Sequence, residues 1–178
     1  MGQQLPPINE LASLPETAQT NALDLLFEPS RAIHSTLVPV VRSRSYGSYT
    51  ELIDHCRLAL FELAASSTPA SPDPNLLSVV GSHPRLGAKK VDSAQSNAEQ
   101  ANLQGEGGEG EKLAELNREY EEKFPGLRFV VFVNGRGRPE IMHDMRVRID
   151  RGDFSKEIDA ALQAMCDIAK DRASKLLP

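Results

Sequence analysis

The heptapeptide Gly81-Ser82-His83-Pro84-Arg85-Leu86-Gly87 carries the residue types best suited to proton chemistry in this chain. Pro84 restricts the residue before it to an extended backbone, so His83 is predicted outside any helix interior. The flanking glycines admit turns that other residues resist. Imidazole is the one side chain whose unperturbed pKa lies near neutrality, so a histidine fixed in this way is a candidate proton donor or acceptor. A surface loop with an incidental histidine would carry the same seven residues. The companions come later in the chain. Ser96, Glu99, Gln100 and Leu103 fall at i, i+3, i+4 and i+7 and share one face of a predicted helix. That face is polar where a core stripe would be apolar. A His83–Glu99 pair, with Gln100 and Ser96 beside it, could handle a proton and grip a polar substrate.

Two further places carry charge that needs a reason. Asn134-Gly135-Arg136-Gly137-Arg138-Pro139 fits either a solvated basic turn or an anion clamp built from glycine-rich backbone and two arginines. Arg172 lies on the apolar stripe of the last predicted helix, where it either snorkels and partners terminal carbonyls or reaches an anion. Other chemistries find little support. His34, His55, His83 and His143 fall in separate elements without paired metal-ligand spacing, so no metal site is expected. No Gly-x-Ser-x-Gly elbow and no dinucleotide fingerprint is present. Cys56 and Cys166 read as small buried apolar residues and suggest a reducing compartment.

The elements that must position these groups are nearly all helical. Ser13-Leu14-Pro15-Glu16 has capping-box spacing and predicts a helix to about Phe27, after a loose tail over residues 1–8. Ser30 is placed to cap a shorter helix that Pro39 kinks or ends. Ser48-Tyr49-Thr50-Glu51 opens a strong helix to about Ala65. Asp73-Pro74 starts a short helix that ends near Gly81 and delivers the chain to His83. The polar-faced helix is predicted over about 92–103 and is followed by the acidic, glycine-rich insert 105–111. Helices then follow over about 110–123, 140–149 and 154–177, the last capped by Asp153. Arg128-Phe129-Val130-Val131-Phe132-Val133 has strand composition. These elements predict an all-α, single-domain helical bundle of seven or eight helices over 9–178, with one short extended segment near 129–133.

The sequence of 178 residues is long enough for a substantial core. Its net charge of −5, from 20 basic and 25 acidic residues, does not suggest a nucleic-acid binder. Its uncharged apolar runs are too short to span a bilayer, and no signal peptide is visible, so a cytoplasmic protein is expected. Ser174-Lys175-Leu176 spells a peroxisomal address, but Leu177 and Pro178 follow it, so it should be silent as written.

In combination the motifs resemble the 2-oxo-4-hydroxy-4-carboxy-5-ureidoimidazoline (OHCU) decarboxylase family of uric-acid degradation. The resemblance rests on Ser82-His83-Pro84-Arg85-Leu86-Gly87, then Ser96-x-x-Glu99-Gln100. After these come Leu116-Asn117-x-x-Tyr120-x-x-Lys123-Phe124 and Phe129-Val130-Val131-Phe132-Val133-Asn134-Gly135-Arg136. The chain looks like a fungal-type branch. The resemblance implies an all-α fold and a cofactor-free decarboxylase that acts on a small molecule, OHCU, to give (S)-allantoin and carbon dioxide, with a homodimer as the family assembly. It implies that His83 is the catalytic histidine with Glu99 beside it. It also implies that Pro84, Ser96, Gln100 and the loop from Asn134 through Gly135, Arg136 and Arg138 contact substrate, and that Arg172 matches a family arginine. Many relatives carry an arginine where this chain has Asn134. The rival readings are a non-catalytic helical ligand-binding protein that keeps the family fold, and a decarboxylase of another small carboxylated heterocycle.

Overall fold

The computed structural model describes residues 3–87, 94–100 and 109–177. These form nine helices: α1 (Ile8–Leu11), α2 (Glu16–Leu26), α3 (Arg31–Arg42), α4 (Tyr49–Ala65), α5 (Pro74–Val80), α6 (Ala94–Glu99), α7 (Glu109–Lys123), α8 (Arg138–Arg151) and α9 (Phe154–Leu176). No strand occurs among the described residues, whose one β-bridge joins Thr68 and Ser71 in a turn. The fold is all-α, as the periodicity predicts. Leu103, the rest of the predicted 92–103 helix beyond 94–100, and positions 105–108 of the acidic insert lie outside the described residues.

The helix starts follow the local chemistry in four of five cases. The side chains of Ser30, Ser48, Asp73 and Asp153 accept from the backbone N–H groups of Ile33, Glu51, Asn75 and Lys156, satisfying donors that a helix start leaves open. The capping box predicted at Ser13 does not form. Ser13 Oγ turns back to the Glu10 carbonyl, and α2 begins after Pro15 with no side-chain cap. Glu10 and Ser13 instead close the single turn α1, which the periodicity did not show. Pro39 lies within α3 and does not end it. From Leu5 onward the predicted loose tail is docked. Leu5 is buried, its N–H donates to the Leu176 carbonyl, and Tyr49 Oη donates to the Pro6 carbonyl.

The buried apolar side chains form one continuous cluster. α9 packs most extensively on α4, and α2, α3 and α5 complete that layer, while α7 packs on α8. Between α7 and α8 the chain runs non-helically through residues 127–133 with Leu127, Phe129, Val130 and Val133 buried. The extended segment expected near 129–133 is therefore present, but it pairs with no strand. Its carbonyls go to arginines instead: Val130 O accepts from Arg148, and Phe132 O and Val133 O accept from Arg136. Buried backbone acceptors must be satisfied somewhere, and guanidinium groups here take the place of a neighbouring strand. Arg148 is itself held by Glu157, a fully buried carboxylate that also accepts from Tyr120 Oη and Arg151. Tyr120 thus helps fix the wall that residues 127–133 build.

Candidate active site

His83 leaves the C-terminus of α5 as expected. The N–H of Gly81 closes onto the Leu77 carbonyl, and Ser82 N–H and Oγ both donate to the Val79 carbonyl. The loop is then pinned along its length. Arg128 donates to the carbonyls of Gly81 and His83, and Asn117 Nδ2 donates to the Leu86 carbonyl at 3.0 Å. Gly87 N–H donates to Gln100 Oε1 at 2.9 Å. Gly87 has φ of 71°, and a Cβ there would come within 2.7 Å of Leu113, so this position requires glycine. These bonds join the His83 loop to α7 and to Gln100 just after α6, and fix its backbone.

The imidazole is 5% exposed, and its Nε2 is buried without a hydrogen-bond partner. It faces a cavity of about 250 Å³. Of the residues singled out in the sequence, His83, Pro84, Ser96, Glu99, Gln100, Asn134 and Gly135 line this one cavity, with residues 129–133 as its apolar wall. Asn134 and Gly135 have φ of 48° and 74°. Two consecutive left-handed residues suit Asn-Gly, since asparagine enters this region far more readily than most side chains.

The arginines fall elsewhere. Arg136 is spent on its own loop and on Asp144 at 2.9 Å, and neither it nor the buried Arg138 at the start of α8 lines the cavity. Arg172 does meet anions, but they are the protein's own. Its Nε and one terminal nitrogen take both oxygens of Glu99 at 2.7 and 3.0 Å, and that nitrogen also reaches Glu28 Oε1 at 2.9 Å and Ser96 Oγ at 3.0 Å. Ser96 Oγ also donates to Glu28 in a short bond. Glu99 thus meets Arg172 and makes no hydrogen bond to His83. Both side chains face the cavity, but a forked guanidinium matches a carboxylate better than an imidazole edge does and has claimed Glu99. The sequence reading missed Glu28, Arg128 and Glu157. The one local signal for Glu28 is an acidic residue directly before Pro29 at the end of a helix.

Burial, and secondarily the Arg172 guanidinium, push the His83 imidazole down to about 3. The folded protein therefore holds a neutral imidazole at neutral pH. The folded protein binds this proton only below about 3, whereas the unfolded chain binds it below about 6.5, so stability rises with pH between those limits and levels off above them. Within this window the His83 contribution approaches a slope of about 1.4 kcal/mol per pH unit, and it amounts to about 1.6 kcal/mol between pH 6.5 and 5. Urea unfolding of wild type and His83→Asn at the two pH values measures it. The variant should lose about that much less stability on acidification, and equal losses would exclude a buried neutral histidine.

Among the described residues no cluster of three or more His, Cys, Asp or Glu is arranged to hold a metal. Cys56 and Cys166 are free and buried, on α4 and α9, with both thiols pushed up by burial. No helix among the described residues is long and apolar enough to cross a membrane.

The profile of the OHCU decarboxylase family matches residues 12–174. This chain belongs to the OHCU decarboxylase family. The solved crystal structure of an (S)-allantoin synthase shares the fold, with a TM-score of 0.64 and 18% sequence identity over 97% of this chain and 54% of that chain. The family member described here thus spans about half the length of that protein. No curated protein sequence matches it significantly.

Proposed function

We propose that this chain is a cofactor-independent carboxy-lyase that decarboxylates OHCU to (S)-allantoin and carbon dioxide in uric-acid degradation. The observation that carries the reading is the unpartnered Nε2 of His83, buried at the wall of a small polar-lined cavity in an OHCU decarboxylase-family fold. A buried polar atom without a partner is costly, and a ligand atom placed against it removes that cost.

Loss of carbon dioxide leaves an electron pair on a ring carbon. The barrier falls when the carboxylate stands perpendicular to the ring, so that the pair delocalises into the adjoining C=N and C=O groups. His83 orients the carboxylate. The carboxylate places an anion directly against Nε2, so the neutral imidazole takes up a proton from solvent as the substrate binds. After carbon dioxide departs, His83 returns this proton to one face of the ring system, which sets the hand of the product. Glu99, held by Arg172, accepts from ring or ureido N–H groups. Gln100 uses Oε1 on Gly87, and its amide NH2 and Ser96 serve the polar substrate edge. Pro84 shapes the wall, and the backbone N–H groups at Asn134 and Gly135 take a developing oxyanion. Arg136 and Arg138 act by holding that loop.

The same reading carries one domain over 9–178, a homodimer and a cytoplasmic location. Ser174-Lys175-Leu176 lies within α9, with its last carbonyl bonded to Leu5. The test is direct. Purified protein should accelerate decay of freshly generated OHCU and yield allantoin of one hand by circular dichroism. Unaccelerated decay to racemic product would favour a ligand-binding role, and turnover of a different carboxylated heterocycle would redirect the substrate assignment.

A further inference from the structure

Glu28 is a buried acidic side chain that lies behind the cavity lining, against Ser96 and Arg172. It is 3% exposed and follows the end of α2 with φ of 133°, directly before Pro29. That φ lies in the region that favours glycine, and the residue before a proline is further restricted. A glutamate persists in such a conformation when its surroundings over-determine it. Here they do: its Oε1 accepts from both Arg172 and Ser96 Oγ, and Arg172 also reaches the Leu26 carbonyl just upstream.

The consequence falls on α6, which carries Ser96 and Glu99 and leads directly into Gln100. The contacts that hold this six-residue helix at the cavity are polar: Ser96 on Glu28 and Arg172, Glu99 on Arg172, Gln100 on Gly87. Glu28 is the group that Ser96 and Arg172 share. We propose that Glu28 is a positioning residue: its carboxylate, set on a strained backbone, docks α6 on α9 and thereby sets Ser96 and Glu99 at the cavity wall opposite His83. This assignment rests on the decarboxylase reading for its kinetic consequences but not for its structural ones.

Four variants test it: Glu28→Gly, Glu28→Gln, Ser96→Ala and the double variant Glu28→Gly/Ser96→Ala. Glycine relieves the backbone and removes the carboxylate, whereas glutamine keeps an acceptor oxygen at the same reach. Amide exchange of the substrate-free protein should rise at least tenfold across residues 94–100 in Glu28→Gly, with α4 and α9 unchanged, and return close to wild type in Glu28→Gln. With OHCU, kcat should fall about 10- to 100-fold in Glu28→Gly and recover to within threefold of wild type in Glu28→Gln. Exchange across 94–100 should be no faster in the double variant than in the worse single one, since the two residues hold α6 through one link. Unaltered exchange across 94–100, a glutamine variant as impaired as glycine, or additive gains in exchange would each overturn the proposal. Should Glu28→Gly fail to fold, Ser96→Ala, which keeps the Arg172 pairs, must still loosen 94–100, and unchanged exchange there overturns the proposal. If wild type leaves OHCU untouched, the decarboxylase reading fails while the exchange arm still decides the role of Glu28. If wild type turns over OHCU but exchange does not respond, only the positioning role falls.

Discussion

Replacing His83 by asparagine should lower kcat for OHCU by about 10²–10⁴-fold, the range typical of a positioned acid–base group. The fold should survive, because the loop is held by its backbone and neighbours: Arg128 on the Gly81 and His83 carbonyls, Asn117 on the Leu86 carbonyl and Gln100 on the Gly87 N–H. None of these bonds uses the imidazole. Single-turnover kinetics with fresh OHCU, alongside thermal unfolding, separates the two effects. Near-normal turnover would remove His83 from the chemistry. A collapse in stability would mean that the imidazole is structural and that its position at the cavity is incidental.

Replacing Arg172 by methionine should have the largest effect on stability. The guanidinium is 2% exposed and sits between Glu28 at 4% and Glu99 at 21%. Deleting it leaves one buried and one half-buried carboxylate without a counter-charge, and breaking such a cluster costs about 3–5 kcal/mol. Because Glu99 keeps some access to water, the lower half of that range is expected. For a chain of this size that corresponds to a fall in Tm of about 6–15 °C. Activity should be lost as well, since Arg172 holds the Glu99 carboxylate. Arg172→Lys keeps the charge but not the fork, so it should recover part of the stability and little of the turnover. A Tm within 2 °C of wild type for Arg172→Met would show that the two carboxylates relax into solvent and that the cluster does not hold α6.

Much of this protein is written locally. The apolar stripe of α9, the caps at Ser30, Ser48, Asp73 and Asp153, and the proline that bars His83 from a helix act within a few residues, so spacing reveals them. The family motifs went further and named seven of the residues that line the cavity. Composition marked residues 129–133 as extended, and they are, but without a partner strand. Val and Phe favour a pleated, half-buried setting, but no rule of composition shows whether a strand or a set of arginines will meet the carbonyls. Spacing misled at Ser13, whose hydroxyl had a choice between the α2 start and the preceding turn and took the turn.

The sequence by itself therefore determined the helices, the all-α class, and the presence of a histidine, a glutamate and a glutamine suited to one site. Only the tertiary structure decided how their charges are shared. Arg172 and Glu28 are 144 positions apart, and Arg172 and Glu99 are 73 apart. No local pattern relates such residues, because the attraction between them takes effect only once α9, α6 and the turn after α2 have been packed together and water has been removed from among them. The same burial that strengthens those pairs leaves His83 neutral and unpartnered at the cavity.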